Sequence, residues 1–150
     1  MTITYTCKPF DVLDVHELYD IMRLRQEVFV VEQDCPYLDA DGKDMFGHHL
    51  MGQDEGGRLH AYTRLLPVGV SYDGYCSIGR VITSIDVRSK GEGKILMQQS
   101  ISKIKSLYPD VPIKIGAQAH LKHFYERLGF TDIGIPYLED NIPHIIMTME

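Results

Sequence analysis

Neither a basic excess nor a long apolar run is present in this chain, and each absence closes off a class of function. Lys and Arg number 15 against 21 Asp and Glu, a formal net charge of −6. A general nucleic-acid binder ordinarily carries the opposite balance, although a local basic pocket for a polyanion stays compatible with it. No apolar stretch approaches the ~18 residues of a membrane span, and Met1 to Tyr5 is polar, without the apolar centre of a signal peptide. The three cysteines, Cys7, Cys35 and Cys76, are odd in number and unpatterned. They argue against a disulfide framework and predict a reduced, cytoplasmic protein. Internal repeats, low-complexity tracts and linkers are missing too, so the 150 residues read as one domain with a sizeable core.

What the chain does have is a glycine-bearing loop between a strand and a helix. Ile78 to Thr83 is apolar and β-branched, a buried-strand pattern, while Met97, Ile101, Ile104 and Tyr108 recur at helical spacing and predict a helix from about Lys94. Between them lie Arg88, Ser89, Lys90, Gly91, Glu92 and Gly93. Free amides at a helix start, together with the helix dipole, favour an anion there. Gly91 and Gly93 allow close backbone approach, and Arg88 and Lys94 place positive charge at the two ends. The stretch predicts a pyrophosphate cradle. It is not a Walker loop, since Lys94 is followed by Ile95 rather than Ser or Thr, and Leu96 stands where G-x-G-x-x-G needs its third glycine. A nucleotide-binding domain built on this loop is disfavoured accordingly.

The remaining elements follow in order. Ile3 to Phe10 reads as an opening strand. Asp14 and Glu17 form a capping box for a helix carrying Leu18, Ile21, Met22, the Arg25 stem and Phe29 on one face, ended near Val30 or Val31 and stopped by Pro36. The acidic segment 34–44 is expected to be a solvated, substrate-facing loop; Gly42 comes too early for a calcium loop. Strands at 48–51 and 58–66 form a hairpin, and a turn near 70–74 leads into the strand Cys76 to Thr83. A strand at 111–117, a short helix at 120–128 capped by Gly129, and strands at 132–138 and 144–149 complete the chain. The fold class is α/β, with a mixed, mostly antiparallel sheet flanked by helices.

The order of two motifs adds a family to this reading. Arg88-x-x-Gly91-x-Gly93 is followed about thirty residues later by the segment Ile115 to Phe130, with Gln118, Phe124, Tyr125, Gly129 and Phe130. The pair resembles the GCN5-related N-acetyltransferases, in which Gln118 stands where Asn is usual and Leu121 where Ala is. Phe29 to Gln33, Cys35 to Tyr37, the Asp39/Asp41/Asp44 loop, His49-Leu50 and Ile142 to Ile145 extend the likeness to the ElaA-like subgroup over nearly the whole chain.

That resemblance implies a single acetyltransferase domain over 1–150, with acetyl-CoA as co-substrate. Val81, Ile82 and Thr83 would meet the pantetheine arm, residues Arg88 to Lys94 the pyrophosphate, and Gln118 would also face the cofactor. Tyr125 would be the general acid to the departing thiolate, because a phenol near the sulfur can donate the proton that a leaving thiolate needs. The acceptor would be a small amine or a peptide amine, acetylated directly in a ternary complex. Glu32, Asp44, His49 and His144 are candidates for the base, unranked. His120 and His123 lack a third ligand, so no metal is expected, and Cys35 has no activating neighbour. A catalytically silent CoA-binding module is the alternative reading. The oligomeric state stays open, with a homodimer through exposed strands or the C-terminal segment as one arrangement.

Overall fold

Asp14 starts the first helix as its sequence predicts. In the computed structural model, which describes residues 1–150, the Glu17 amide donates to Asp14 Oδ1 at 2.7 Å and the Asp14 amide to Glu17 Oε1 at 2.9 Å. The box satisfies two donors that a helix start otherwise leaves open. Helix α1 runs over Val15–Arg25, short of the end expected near Val30 or Val31. The chain continues as a π-helical segment over Gln26–Glu32, a widening frequently found at functional sites. Helix α2 spans Glu92–Leu107, starting two residues before the predicted Lys94, and α3 is the short helix Lys122–Arg127. No helix is long and apolar enough to cross a membrane.

The expected mostly antiparallel sheet is there, in two parts. Strands β1 (Thr4–Pro9), β2 (His48–Gln53), β3 (Leu59–Leu66) and β4 (Ser77–Thr83) form one antiparallel sheet in that order. Strands β5 (Ile113–Gln118), β6 (Thr131–Glu139) and β7 (Ile142–Met149) form the other, in the order β5-β7-β6. The two sheets touch through a parallel bridge between Cys76 and Ile113, where the Lys114 amide donates to Cys76 O at 2.9 Å. Beyond that bridge β4 and β5 separate. The edge of β4 turned away from β3 therefore has no strand partner from Ser77 onward, the kind of edge that accepts another extended chain.

Helices cover the first sheet on both sides, which is why β3 is buried at every position. Ile21, Leu24 and Val28 pack on Met51, Leu59, Tyr62 and Ile82. On the other side Met97 and Ile104 of α2 join Leu65, Ile78, Ile113, Ile115, Phe130 and Met147. Burial of this apolar area is the main stabilising term.

The acidic segment departs most from its sequence reading. Asp39 and Asp44 are each only 6 % exposed and pair with Arg25, which is fully buried. Arg25 donates from Nε to Asp39 at 2.6 Å and from Nη1 to Asp44 at 2.6 Å. Arg64 bridges Asp41 and Asp44, at 2.8 and 2.9 Å. Arg80 Nε lies 2.8 Å from Asp39 in an ion-pair contact too poorly aligned for a hydrogen bond. Arg80 reaches this position from a bulge in β4, with a left-handed φ of 51°, a conformation that costs a non-glycine residue energy. The loop is held from inside by charge at Asp39 and Asp44, while Asp34, Leu38, Asp41 and Gly42 stay exposed as expected.

Candidate active site

A cleft of about 610 Å³ opens where β4 and β5 part, within the ~300–1,000 Å³ common for small-molecule sites. It brings together Val81, Ile82, Thr83, Arg88, Gln118 and Tyr125, six of the residues singled out in the sequence. Ser89 to Lys94 follow Arg88 along the chain, outside the lining.

Tyr125 stands on α3, which follows β5 after a single 3-10 turn at Ala119–Leu121. Its ring is clamped edge-on between Phe124 and Phe130, with centroids 5.1 and 6.0 Å away. The residue is 5 % exposed. Burial pushes its hydroxyl up to about 12, so the group stays protonated and is available as a donor.

The loop before α2 has the geometry of an anion cradle. Ser89 and Gly91 adopt left-handed φ values of 63° and 80°, which turns successive amides toward a common side. Gly91 is the N-cap of α2, and Ile95 is the first helix residue whose amide reaches a carbonyl, Gly91 O at 3.4 Å. A Cβ built on Gly91 meets nothing within 4 Å, and one on Gly93 meets only Phe124 Cζ at 4.0 Å, so the space above both glycines is open. Glu92 differs from its neighbours: its carboxylate turns inward and accepts from the Tyr5 hydroxyl at 3.1 Å, leaving only its backbone amide to the loop. Arg88 folds back, donating to Thr83 O at 3.0 and 3.2 Å and pairing with Glu32 at 2.7 Å.

The sequence model of the acetyltransferase (GNAT) domain matches residues 41–150. The chain belongs to the GNAT acetyltransferase family. Among its relatives, a UPF0039 protein of Synechocystis is 42% identical over 147 residues, 98% of this chain and 95% of that one. Protein ElaA of Escherichia coli K12 is 43% identical over 142 residues, 92% of this chain and 90% of its own. The crystal structure of ElaA superposes with a TM-score of 0.92 over 99% of this chain and all of that one. That of an acyl-CoA N-acyltransferase from Pseudomonas aeruginosa, 44% identical, does so at 0.93 with the same coverage.

Within this GNAT cleft the four candidate bases are placed very differently. Burial pushes the Asp44 carboxyl up, but the hydrogen bonds and charges of Arg25 and Arg64 outweigh it and hold the group below the ordinary carboxylate value. His49 is fully buried, with Nδ1 2.6 Å from the Tyr62 hydroxyl and Nε2 2.9 Å from Asp44 O. Neither Asp44 nor His49 lines the cleft. Glu32 does, but carries Arg88 on its carboxylate. His144 lines the cleft as well. His123 turns to Glu126 at 2.9 Å, and the Cys35 thiol, pushed up by burial and by Asp140 and Asp34, makes only a 3.9 Å contact with Asp140 O.

Sequence reasoning missed one part of the cleft wall. Tyr72 and Tyr137 line it, and the Tyr137 hydroxyl lies against the backbone of Gly116. The available signal was Gly116 itself, a lone glycine inside a strand, which marks close approach by another group.

Proposed function

We propose that this protein transfers the acetyl group of acetyl-CoA to a primary amine, directly, with both molecules held in the β4–β5 cleft. The observation that carries the reading is the Tyr125 hydroxyl, buried and protonated in the wall of a cleft bordered by the free edge of β4. Acetyl-CoA would supply the activated thioester. The unpaired β4 edge at Val81 and Ile82 suits the amides of an extended pantetheine arm, and the 88–94 loop suits its pyrophosphate. Charge-assisted bonds of that type contribute on the order of 1.5–3 kcal/mol each, enough for several to hold a polyanion on a chain of net negative charge.

Tyr125 then serves the leaving group. Against a thiol pKa of ~8.5, a hydroxyl at about 12 makes full proton transfer uphill by roughly 4–5 kcal/mol. The proton therefore moves late, as the carbon–sulfur bond breaks and negative charge gathers on sulfur. A positioned acid of this kind contributes ~10²–10⁴ in rate. Tyr125→Phe is expected to retain acetyl-CoA binding and lose turnover by a factor in that range; an undiminished rate removes the assignment. The relative named an acyl-CoA N-acyltransferase supports the same chemistry. A catalytically silent CoA-binding module has in its favour that Arg88 is already engaged by Glu32 and Thr83, but it gives the buried Tyr125 hydroxyl no task.

A further inference from the structure

We propose that His144 Nε2 takes the proton from the acceptor's ammonium group, held in that role by Ile142, Tyr137 and Glu139. The proposal rests on the acetyl-transfer reading above. Strand register first puts the residue in place. Gln118 pairs with His144 across β5 and β7, and His144 with Tyr137 across β7 and β6. Directly opposed residues project to one face, and all three line the cleft that also holds Tyr125.

The ring's tautomer follows from its neighbours. His144 Nδ1 lies 2.7 Å from Ile142 O. A carbonyl only accepts, so Nδ1 carries the hydrogen, and in the neutral ring the lone pair is on Nε2. Glu139 Oε2 is 3.4 Å from Nε2, so an imidazolium formed there has a carboxylate beside it. Tyr137 packs on the ring at 5.2 Å and a tilt of 31°, and is itself fixed by the close fit of its hydroxyl over Gly116. Of the four candidate bases, His144 alone combines a place in the cleft wall with a nitrogen lone pair that no arginine or hydroxyl occupies.

One ammonium proton passes to His144 Nε2 and frees the nitrogen lone pair. The N–C bond forms and the C–S bond breaks. Sulfur takes the Tyr125 proton, and the second nitrogen proton, released as the amide forms, replaces it. His144 returns its proton to water.

Two measurements test this. Long-range ¹H–¹⁵N correlation of the His144 ring, with His144→Gln for assignment, needs no acceptor. The Nδ1–H form is expected, and an Nε2–H form overturns the proposal. Turnover is then followed by CoA release from acetyl-CoA with n-butylamine and with 2,2,2-trifluoroethylamine, whose nitrogen is mainly unprotonated at neutral pH. His144→Gln is expected to slow the first by ~10²-fold or more and the second by less than ~10-fold, with acetyl-CoA binding unchanged. Equal losses for both amines would show a merely structural histidine and overturn the assignment. Where wild type acetylates neither probe, the ring tautomer decides. Failure of acetyl-CoA to bind at all would instead strike the acetyl-transfer reading itself.

Discussion

The Tyr137 hydroxyl occupies the space where a side chain on Gly116 would begin: a Cβ there would stand 2.0 Å from the oxygen. The tyrosine reaches this position from β6, across β7, and packs on His144 on the way. One missing methyl group on β5 thus sets the shape of the cleft wall that Tyr137 and His144 line.

Gly116→Ala is therefore expected to push Tyr137 out of the cleft wall and to cost about 1–3 kcal/mol of stability, as overpacking does. Adding Tyr137→Phe removes the clashing oxygen and leaves the ring Cζ 3.3 Å from the new Cβ. The double variant should recover most of the loss in denaturant unfolding. Additive losses in this cycle would mean that the two residues do not share that space.

Gly93 offers a separate test of the phosphate loop. It sits in the first turn of α2, where Ala has better helix propensity by roughly 0.5–1 kcal/mol, and its Cβ would find open space. Gly93→Ala should be at least as stable as wild type yet bind acetyl-CoA more weakly, because only a ligand would meet the added methyl. Unchanged affinity would place the pyrophosphate elsewhere.

The ion-pair network predicts how the protein responds to acid. Burial pushes the Asp41 carboxyl up, but hydrogen bonds from Arg64 and the Lys43 amide, with the charges of Arg64 and Arg80, outweigh this and bring it to about 2. Its folded value lies below its unfolded one, so its stabilisation is full above ~pH 4 and is lost as pH falls through about 2. Asp44 is shifted in the same direction. Asp41→Asn should be less stable than wild type at about pH 6, with the difference shrinking toward zero near pH 2. A difference independent of pH would contradict the pairing.

What could be read from the sequence was local. The Asp14–Glu17 box, the Gly129 cap with φ of 106° and the strand-loop-helix around Gly91 each depend on neighbours a few residues apart. Tyr125 and Gln118 are singled out differently, by resemblance to a family carried by two motifs about thirty residues apart. What could not be read was pairing at a distance. Arg25 sits at an apolar position of α1, and nothing nearby tells that its partners come 14 and 19 residues later. Without those partners the segment 34–44 looks like an acidic surface; with them Asp39 and Asp44 are buried and anchor a segment whose Tyr37, Leu38, Asp41 and Lys43 line the cleft. The bulge that aims Arg80 and the row Gln118–His144–Tyr137 likewise come from sheet register, which a single strand's pattern does not specify.

The most direct test of the account is calorimetric titration of the protein with acetyl-CoA, with ATP and NAD as controls. The account predicts micromolar binding of acetyl-CoA and no comparable binding of the other two. Absence of acetyl-CoA binding would contradict the assignments of the 88–94 loop, the β4 edge and Tyr125 together.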